Sequence, residues 1–355
     1  MPGQPITLGP FSGGYANATP VGELTDKQLS ELLNLNVATD GSLLSRGPIA
    51  PETGTETMDG SWVVYGTYRS DDSVWYALAA KPTPTGWTVY AILNGTFSNP
   101  GNYFVVKDLS SIEPPSDVVQ YETWMYFLMP SGPYCFKWSP ASGAMDVTQM
   151  PRGRAITASK GRLFVTATRS ASTGSRVFYS QIDEVTINPD VWVTSKDYFD
   201  VGYGLGGLTS AMMEVSNSIY IFKDSATYRY SYSSSIAQGS SDVVSGQIGA
   251  PNQQCVAAYG NAVYVYYSGT VYELFNGLYS NISRNIMFKE DPKAYLSTGS
   301  GASLSVVGDY LVLRVKNSLY AYSLLTRTWS RWRSQHGVPN RFITMPGTAI
   351  TADAT

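Results

Sequence analysis

Charge is scarce in this chain. Only 14% of its 355 residues are Asp, Glu, Lys or Arg, where about a quarter is usual. The net charge is −3, and Lys and Arg are nowhere clustered. Proteins that grip nucleic-acid phosphates need such clusters, so the composition argues against a dedicated DNA- or RNA-binding protein. Histidine is scarcer still: His336 stands alone, in the polar stretch Ser334-Gln335-His336-Gly337. A single imidazole makes a His-rich metal site or a Ser-His-Asp relay hard to assemble, and His336 reads as a surface loop residue. Two cysteines, Cys135 and Cys255, are too few for a disulfide framework and read as small buried hydrophobes. No apolar run approaches the roughly 18 residues that a membrane span requires. The opening MPGQPITLGPFSGG lacks the basic and apolar regions of a secretory leader, so synthesis in the cytoplasm is expected.

Aromatic residues are plentiful, at 13%, with 26 Tyr, 12 Phe and 8 Trp. Such side chains suit pleated, half-buried surfaces. With them come 33 Gly and 20 Pro, enough to punctuate many short strands. The composition therefore points to an all-β chain, long enough to bury a core without covalent staples.

One helix is predicted. Thr25 stands where an N-cap would, Gln28 completes a capping box, and Leu24 and Leu29 form a hydrophobic staple. Leu29, Leu32 and Leu33 continue a narrow apolar stripe to about Asn36. The stripe needs a partner surface, so Leu24, Leu29, Leu32 and Leu33 are read as assembly contacts.

Beyond residue 60 the pattern is repetitive. Five apolar runs begin at Met125, Leu163, Ile219, Val263 and Leu311, at spacings of 38 to 56 residues. Seven residues before each stands another apolar side chain: Val118, Ile156, Met212, Val256 and Leu304. Nine residues after four of them stands a tyrosine: Tyr134, Tyr228, Tyr272 and Tyr320. In the remaining repeat Val177-Phe178-Tyr179 takes that place. Turn residues such as Gly161, Ser216-Asn217, Gly260-Asn261 and Gly308-Asp309 separate the runs. The implied unit is strand, turn, strand, turn, strand, at the length of a propeller blade. Residues 60–110 form a sixth, less regular unit. The apolar runs are read as inner strands, stacked between neighbouring blades. The expected fold is a β-propeller of about six four-stranded blades, five and seven being the nearest alternatives. Two β-sandwich domains are the competing architecture. Residues 1–58 are assigned to an N-terminal arm with the short helix, 59–335 to the propeller and 336–355 to a C-terminal tail.

Candidate chemistry is thin. Gly202-Tyr203-Gly204-Leu205-Gly206-Gly207 spells G-x-G-x-x-G, but the residues after it read as strands, not the helix that a dinucleotide site requires. A glycine-rich turn between blades is the favoured reading. Asp117, Asp183, Glu184, Asp190, Asp224 and Glu273 are candidates for a hydrolytic carboxylate pair. Nothing in their spacing makes two of them converge, so no catalytic, cofactor or metal residue is assigned.

The N-terminal stretch has a further pattern. Phe11-Ser12-Gly13-Gly14-Tyr15-Ala16-Asn17-Ala18-Thr19-Pro20 is followed by Leu24, by Leu33-Asn34-Leu35-Asn36, and by Asp40-Gly41-Ser42-Leu43-Leu44-Ser45-Arg46-Gly47. This resembles the opening of phage tail hub, nozzle and stabilisation proteins: a Gly-rich segment, a short helix, an Asn and a G-x-L-x-x-R-like turn. Arg176 to Ser180, Trp192, Ile219 to Phe222 with Tyr228, and Ile248 to Gly277 extend the likeness loosely. The resemblance implies a non-enzymatic structural virion protein, and it adds Arg46 to the assembly contacts. It implies a homo-oligomeric ring, commonly a hexamer, that meets adjacent tail, adaptor or portal-like proteins. DNA would be only non-specific passing cargo, and the protein would be made in the bacterial host cytoplasm and reside in the virion tail. No cofactor and no membrane insertion are expected. A tail-tip receptor-binding, lectin-like module is the alternative, and a glycan-degrading propeller a more distant one.

Overall fold

The structure is a computed structural model. It describes residues 62–332, apart from 94–102, 111–112, 133, 169–171, 182–188, 233–235, 237–238, 287, 289–300 and 317. Outside that span it describes the backbone of short strands only: β1 (Gly14–Tyr15), β2 (Gln28–Leu29), β3 (Leu35–Val37), β4 (Leu43–Ser45), and two near the C-terminus.

The chain is an all-β propeller of six blades, each a four-stranded antiparallel sheet with its strands in sequence order. Blade 1 comprises β5 (Val63–Arg69), β6 (Trp75–Thr83), β7 (Gly86–Leu93) and β8 (Tyr103–Leu109). Blade 2 holds β9 (Asp117–Tyr121), β10 (Trp124–Leu128), β11 (Cys135–Ser139) and β12 (Gly143–Val147). Blade 3 is β13 (Gly153–Ser159), β14 (Arg162–Ala167), β15 (Arg176–Tyr179) and β16 (Tyr198–Asp200). Blade 4 consists of β17 (Thr209–Val215), β18 (Ser218–Lys223), β19 (Thr227–Ser231) and β20 (Ser240–Ser245). In blade 5 are β21 (Val256–Tyr259), β22 (Ala262–Tyr267), β23 (Thr270–Phe275) and β24 (Leu278–Asn281). Blade 6 ends the series with β25 (Ala302–Val307), β26 (Tyr310–Val315), β27 (Ser318–Ser323) and β28 (Trp329–Trp332).

The repeat read from the sequence is the hairpin register of the blades. Each early apolar residue faces the third residue of its run across the first hairpin: Val118 with Phe127, Ile156 with Val165, Met212 with Ile221, Val256 with Val265, Leu304 with Leu313. The third strand continues the row with Phe178, Tyr228, Tyr272 and Tyr320. Tyr134 does not belong to it. A longer connection in blade 2 leaves Tyr134 exposed and puts Phe136 opposite Phe127, with the rings stacked at 4.5 Å. Tyr228 and Tyr320 are buried, whereas Tyr272 is only half-buried.

The five apolar runs are the second strands of their blades, inner strands of each four-stranded sheet. The first strands β5, β9, β13, β17, β21 and β25 touch one another in succession, so they line the axis. Several of these strands carry small or short polar side chains, such as Thr209-Ser210-Ala211 and Ala302-Ser303-Leu304-Ser305, whereas β5 and β9 are bulkier. The second strand packs against a neighbouring blade on either face. It is therefore apolar on both, as in the fully buried Leu163, Phe164 and Val165.

The axial strands end the hydrogen-bond ladder of each sheet, and side chains satisfy the backbone groups left over. Gln120 of blade 2 accepts from Arg69 N at 2.9 Å and donates to Arg69 O at 2.7 Å, across to blade 1. Gln253, just before β21, grips Met212 of blade 4 in the same way, at 2.8 and 3.0 Å. Asp117 Oδ2 accepts from Ile156 N at 2.9 Å, and Thr209 Oγ1 donates to Gly174 O at 2.9 Å. Strands β5, β13 and β17 carry register shifts near their starts, and the Ile156 and Thr209 contacts lie at the shifts of β13 and β17.

The segment beyond the last blade forms a hairpin of β29 (Val338–Met345) and β30 (Thr348–Ala354). β29 touches both β25 and β5, so this hairpin stands where the sixth blade meets the first.

In the arm, the described residues within the expected helix are extended. Gln28–Leu29 pairs in parallel with Gly14–Tyr15, and Leu35–Val37 pairs with Leu43–Ser45. A helix of three turns is marginal without packing, even when capped, and strand pairing prevails at these positions. Leu24, Leu32, Leu33 and Arg46 lie outside the described residues, and of Leu29 only the backbone is described.

The shared row makes a sharp prediction. Tyr320→Ala should destabilise the protein by about 3–4 kcal/mol, as truncation of a fully buried aromatic does, and Tyr272→Ala by less than half as much. Urea unfolding of the two variants checks this; equal losses would break the link between register and burial.

Candidate functional site

The glycine-rich segment 202–207 joins blade 3 to blade 4. Gly202, Gly206 and Gly207 have φ of 51°, 73° and 81°. A Cβ on them would lie 2.1 Å from the Tyr228 hydroxyl, 2.4 Å from Ala226 Cβ and 2.5 Å from the Asp224 carboxylate. These glycines therefore make room for blade 4 rather than for a phosphate. The loop is fastened to the turn after β18: Leu208 N donates to Asp224 Oδ2 at 2.9 Å and Ser225 N to Gly206 O at 3.0 Å.

Beneath the loop lies Lys223, fully buried. Its Nζ donates to Gly202 O at 2.7 Å, Ser175 Oγ at 2.9 Å and Val201 O at 3.1 Å. Burial pulls the ammonium below the usual lysine value, while Asp224 and Asp200 oppose that pull. The three oxygens supply the solvation that water would otherwise give. The loop held in this way exposes Tyr203 and Leu205.

The candidate carboxylates do not converge. Asp117 is engaged by Ile156 N, and Asp224 by Leu208 N. Asp190 accepts from Tyr126 Oη at 3.0 Å and forms an ion pair with Lys137. Glu273 accepts from Tyr264 Oη at 3.0 Å and from Arg327 Nη1 at 3.4 Å. Asp183, Glu184 and His336 lie outside the described residues. Among the described residues no three His, Cys, Asp or Glu side chains gather as a metal site would require, and no helix is long and apolar enough to cross a membrane. Both cysteines are free and buried, in different blades, and burial pushes Cys135 up to about 11 and Cys255 to about 12.

A concave feature with mixed chemistry lies between blades 1 and 2. It is a cleft of about 400 Å³ lined by Tyr68, Asp71, Asp72, Tyr76, Thr123 and Trp124, with Ser70, Ser139 and Ser142 at its edges. Its walls are braced. Tyr68 Oη donates to Thr123 O at 2.6 Å, and Trp138 meets the rings of Tyr68 and Tyr76 edge-on at 5.3 and 5.5 Å. Burial, with the nearby Asp71 second, holds the Tyr68 phenol above its usual value. Gln120 fixes both turns that frame the cleft, gripping Arg69 on one side and Glu122 O on the other. Sequence reasoning missed this cleft because its residues come from two blades, and it missed Lys223 because nothing local distinguishes that lysine from a surface one.

The chain matches no family model and no curated protein. Similar solved structures include PorZ, a surface component of the type-IX secretion system of Porphyromonas gingivalis, at 11% identity and a TM-score of 0.47. That match covers 82% of this chain but only 37% of PorZ. Apo AztD from Citrobacter koseri is 8% identical with a TM-score of 0.41, covering 81% of this chain and 90% of AztD. The AfRom2 CNH domain is 11% identical with a TM-score of 0.46, covering 82% and 90%. Likenesses this weak carry no inference about activity or partners.

Lys223→Met should strand the buried Val201 carbonyl and the half-buried Gly202 carbonyl and cost about 2 kcal/mol in denaturant unfolding. It should also open the peptide bonds beside Tyr203 to limited proteolysis. A loss below about half a kcal/mol with unchanged proteolysis would deny the lysine its anchoring role.

Proposed function

We propose that this chain is a non-enzymatic structural subunit of a bacteriophage tail, of the hub or nozzle kind, working through assembly rather than catalysis. The observation that carries the non-enzymatic part is the use made of its polar groups. Among the described candidate carboxylates, Asp117, Asp190, Asp224 and Glu273 each bind a neighbouring backbone or side chain, and no two of these four are brought together. The tail assignment rests on the N-terminal pattern from Phe11 to Gly47 and its resemblance to tail hub and nozzle proteins. The scarcity of charge suits a conduit as well, since each Lys or Arg that meets a phosphate adds a salt-sensitive attraction that would slow a passing duplex.

In this reading the arm, residues 1–58, reaches a neighbouring copy, and the propeller is the body of each subunit. Adaptor or portal-like proteins are the further partners. The test is assembly. Full-length protein should form closed rings visible by negative-stain electron microscopy. Deletion of residues 1–50 should abolish them while leaving the β-rich circular dichroism intact. A full-length protein that stays monomeric at high concentration would contradict the proposal, as would rings that survive the deletion.

A further inference from the structure

The cleft between blades 1 and 2 has a composition that the structural role does not use. Tyr76 and Trp124 are half-buried, so part of each ring borders the cleft. The ammonium of Lys137 stands 4.3 Å from the Trp124 ring centroid, and its charge is matched by Asp190. Asp71 and Asp72 are exposed at the rim and make no hydrogen bond or ion pair with any described residue. No Lys or Arg is among the lining residues, and Arg69 nearby turns to Ser73 Oγ at 3.0 Å. Ser70, Thr123 and Ser142 add hydroxyls, and Val74, Pro140 and Ala141 add apolar surface.

Each class of lining group matches a class of ligand group. Aromatic faces take the apolar C–H faces of a flat ring and leave its edges free. Ionised carboxylates are acceptors only, and their strongest bonds are to donor groups, so they favour a partner rich in hydroxyls. Uncompensated negative charge at the rim repels phosphates, sulfates and uronates. A purely apolar ligand would bury two carboxylates without partners, which is costly. A pyranose satisfies all of these conditions at once, and the cleft lies within the usual range of small-ligand sites, about 300–1,000 Å³. Preorganisation is also in place, because Gln120, the Tyr68–Thr123 bond and the Trp138 contacts fix the walls without a ligand. We infer that the cleft binds an uncharged saccharide unit, stacked on Trp124 or Tyr76 and held at its hydroxyls by Asp71 and Asp72.

This inference does not depend on the chain belonging to a tail. Its test uses the full chain with three neutral probes, maltohexaose, cellohexaose and N-acetylchitohexaose, and one acidic probe, an oligogalacturonate of similar length. Binding is read by saturation-transfer NMR and calorimetry. At least one neutral probe should bind with a Kd below about 5 mM, a weak but specific affinity. The acidic probe should bind at least tenfold more weakly. The double variant Asp71→Ala/Asp72→Ala, altered only at exposed side chains, should fold with an unchanged unfolding midpoint and lose binding at least tenfold. Trp124→Phe should change the pattern of saturated sugar protons while keeping some affinity. Absence of binding by every neutral probe would overturn the inference. So would undiminished binding by the double variant, or an acidic probe that binds as well as the neutral ones.

Discussion

Every blade of this protein has one strand whose inner edge has no strand to pair with. The backbone groups along that edge face the axis and the next blade, where an unsatisfied donor or acceptor costs about 1–3 kcal/mol. Side chains from the adjoining blade meet them. Gln120 and Gln253 each return a donor and an acceptor to one residue of the preceding blade. Asp117, Ser116 and Ser210 make single bonds towards the following blade, with Ser116 Oγ to Gly153 O at 2.9 Å and Ser210 Oγ to Ala250 O at 2.5 Å. Packing between blades is non-directional, whereas these bonds fix the register of one blade against the next.

Several other features depend on that constraint. Small residues such as Ser210, Ala211, Ala302 and Ser303 let the axial edges of their blades approach. The second strands carry the apolar volume because they are covered on both faces. Glycines at the blade 3–blade 4 junction let the turn of Asp224 to Ala226 approach, and Lys223 gathers the carbonyls that this approach leaves behind. The cleft between blades 1 and 2 has the same origin, for Gln120 also ties down the turn at Glu122. Acidic and amide side chains thus act mainly as internal hydrogen-bonding groups, which fits a chain with few charges to place on its surface.

The repeat was legible because the period of the hairpin is written into the spacing of apolar residues. Val118, Ile156, Met212, Val256 and Leu304 sit one hairpin away from the runs they pair with, and that distance is set by strand length and tight turns. What spacing does not encode is radial position, so which strand lines the axis could not be read from it. Tyr134 kept the spacing but lost the register, because one connection is longer. The arm misled for a related reason. Thr25, Gln28 and Leu29 carry the local signals of a helix start, yet Gln28–Leu29 is paired with Gly14–Tyr15, a contact between residues that no local signal reports. The cleft and the Lys223 anchor are likewise made by residues far apart in the chain. Asp117 was noticed for its chemistry, and its burial against Ile156 shows that a carboxylate in a propeller can be wholly structural.

Clamps between axial strands hold the blades in register, and hydrogen exchange tests them most directly. Gln253→Ala should speed exchange of the Met212 amide by at least tenfold and leave the Arg69 amide unchanged. Gln120→Ala should do the reverse. Gln253→Ala should lower stability by about 1 kcal/mol, as the loss of part-buried hydrogen bonds implies, and Gln120→Ala, whose bonds to Arg69 are exposed, by less. If both amides keep their native protection in both variants, the blades are held in register by packing alone, and the central claim fails.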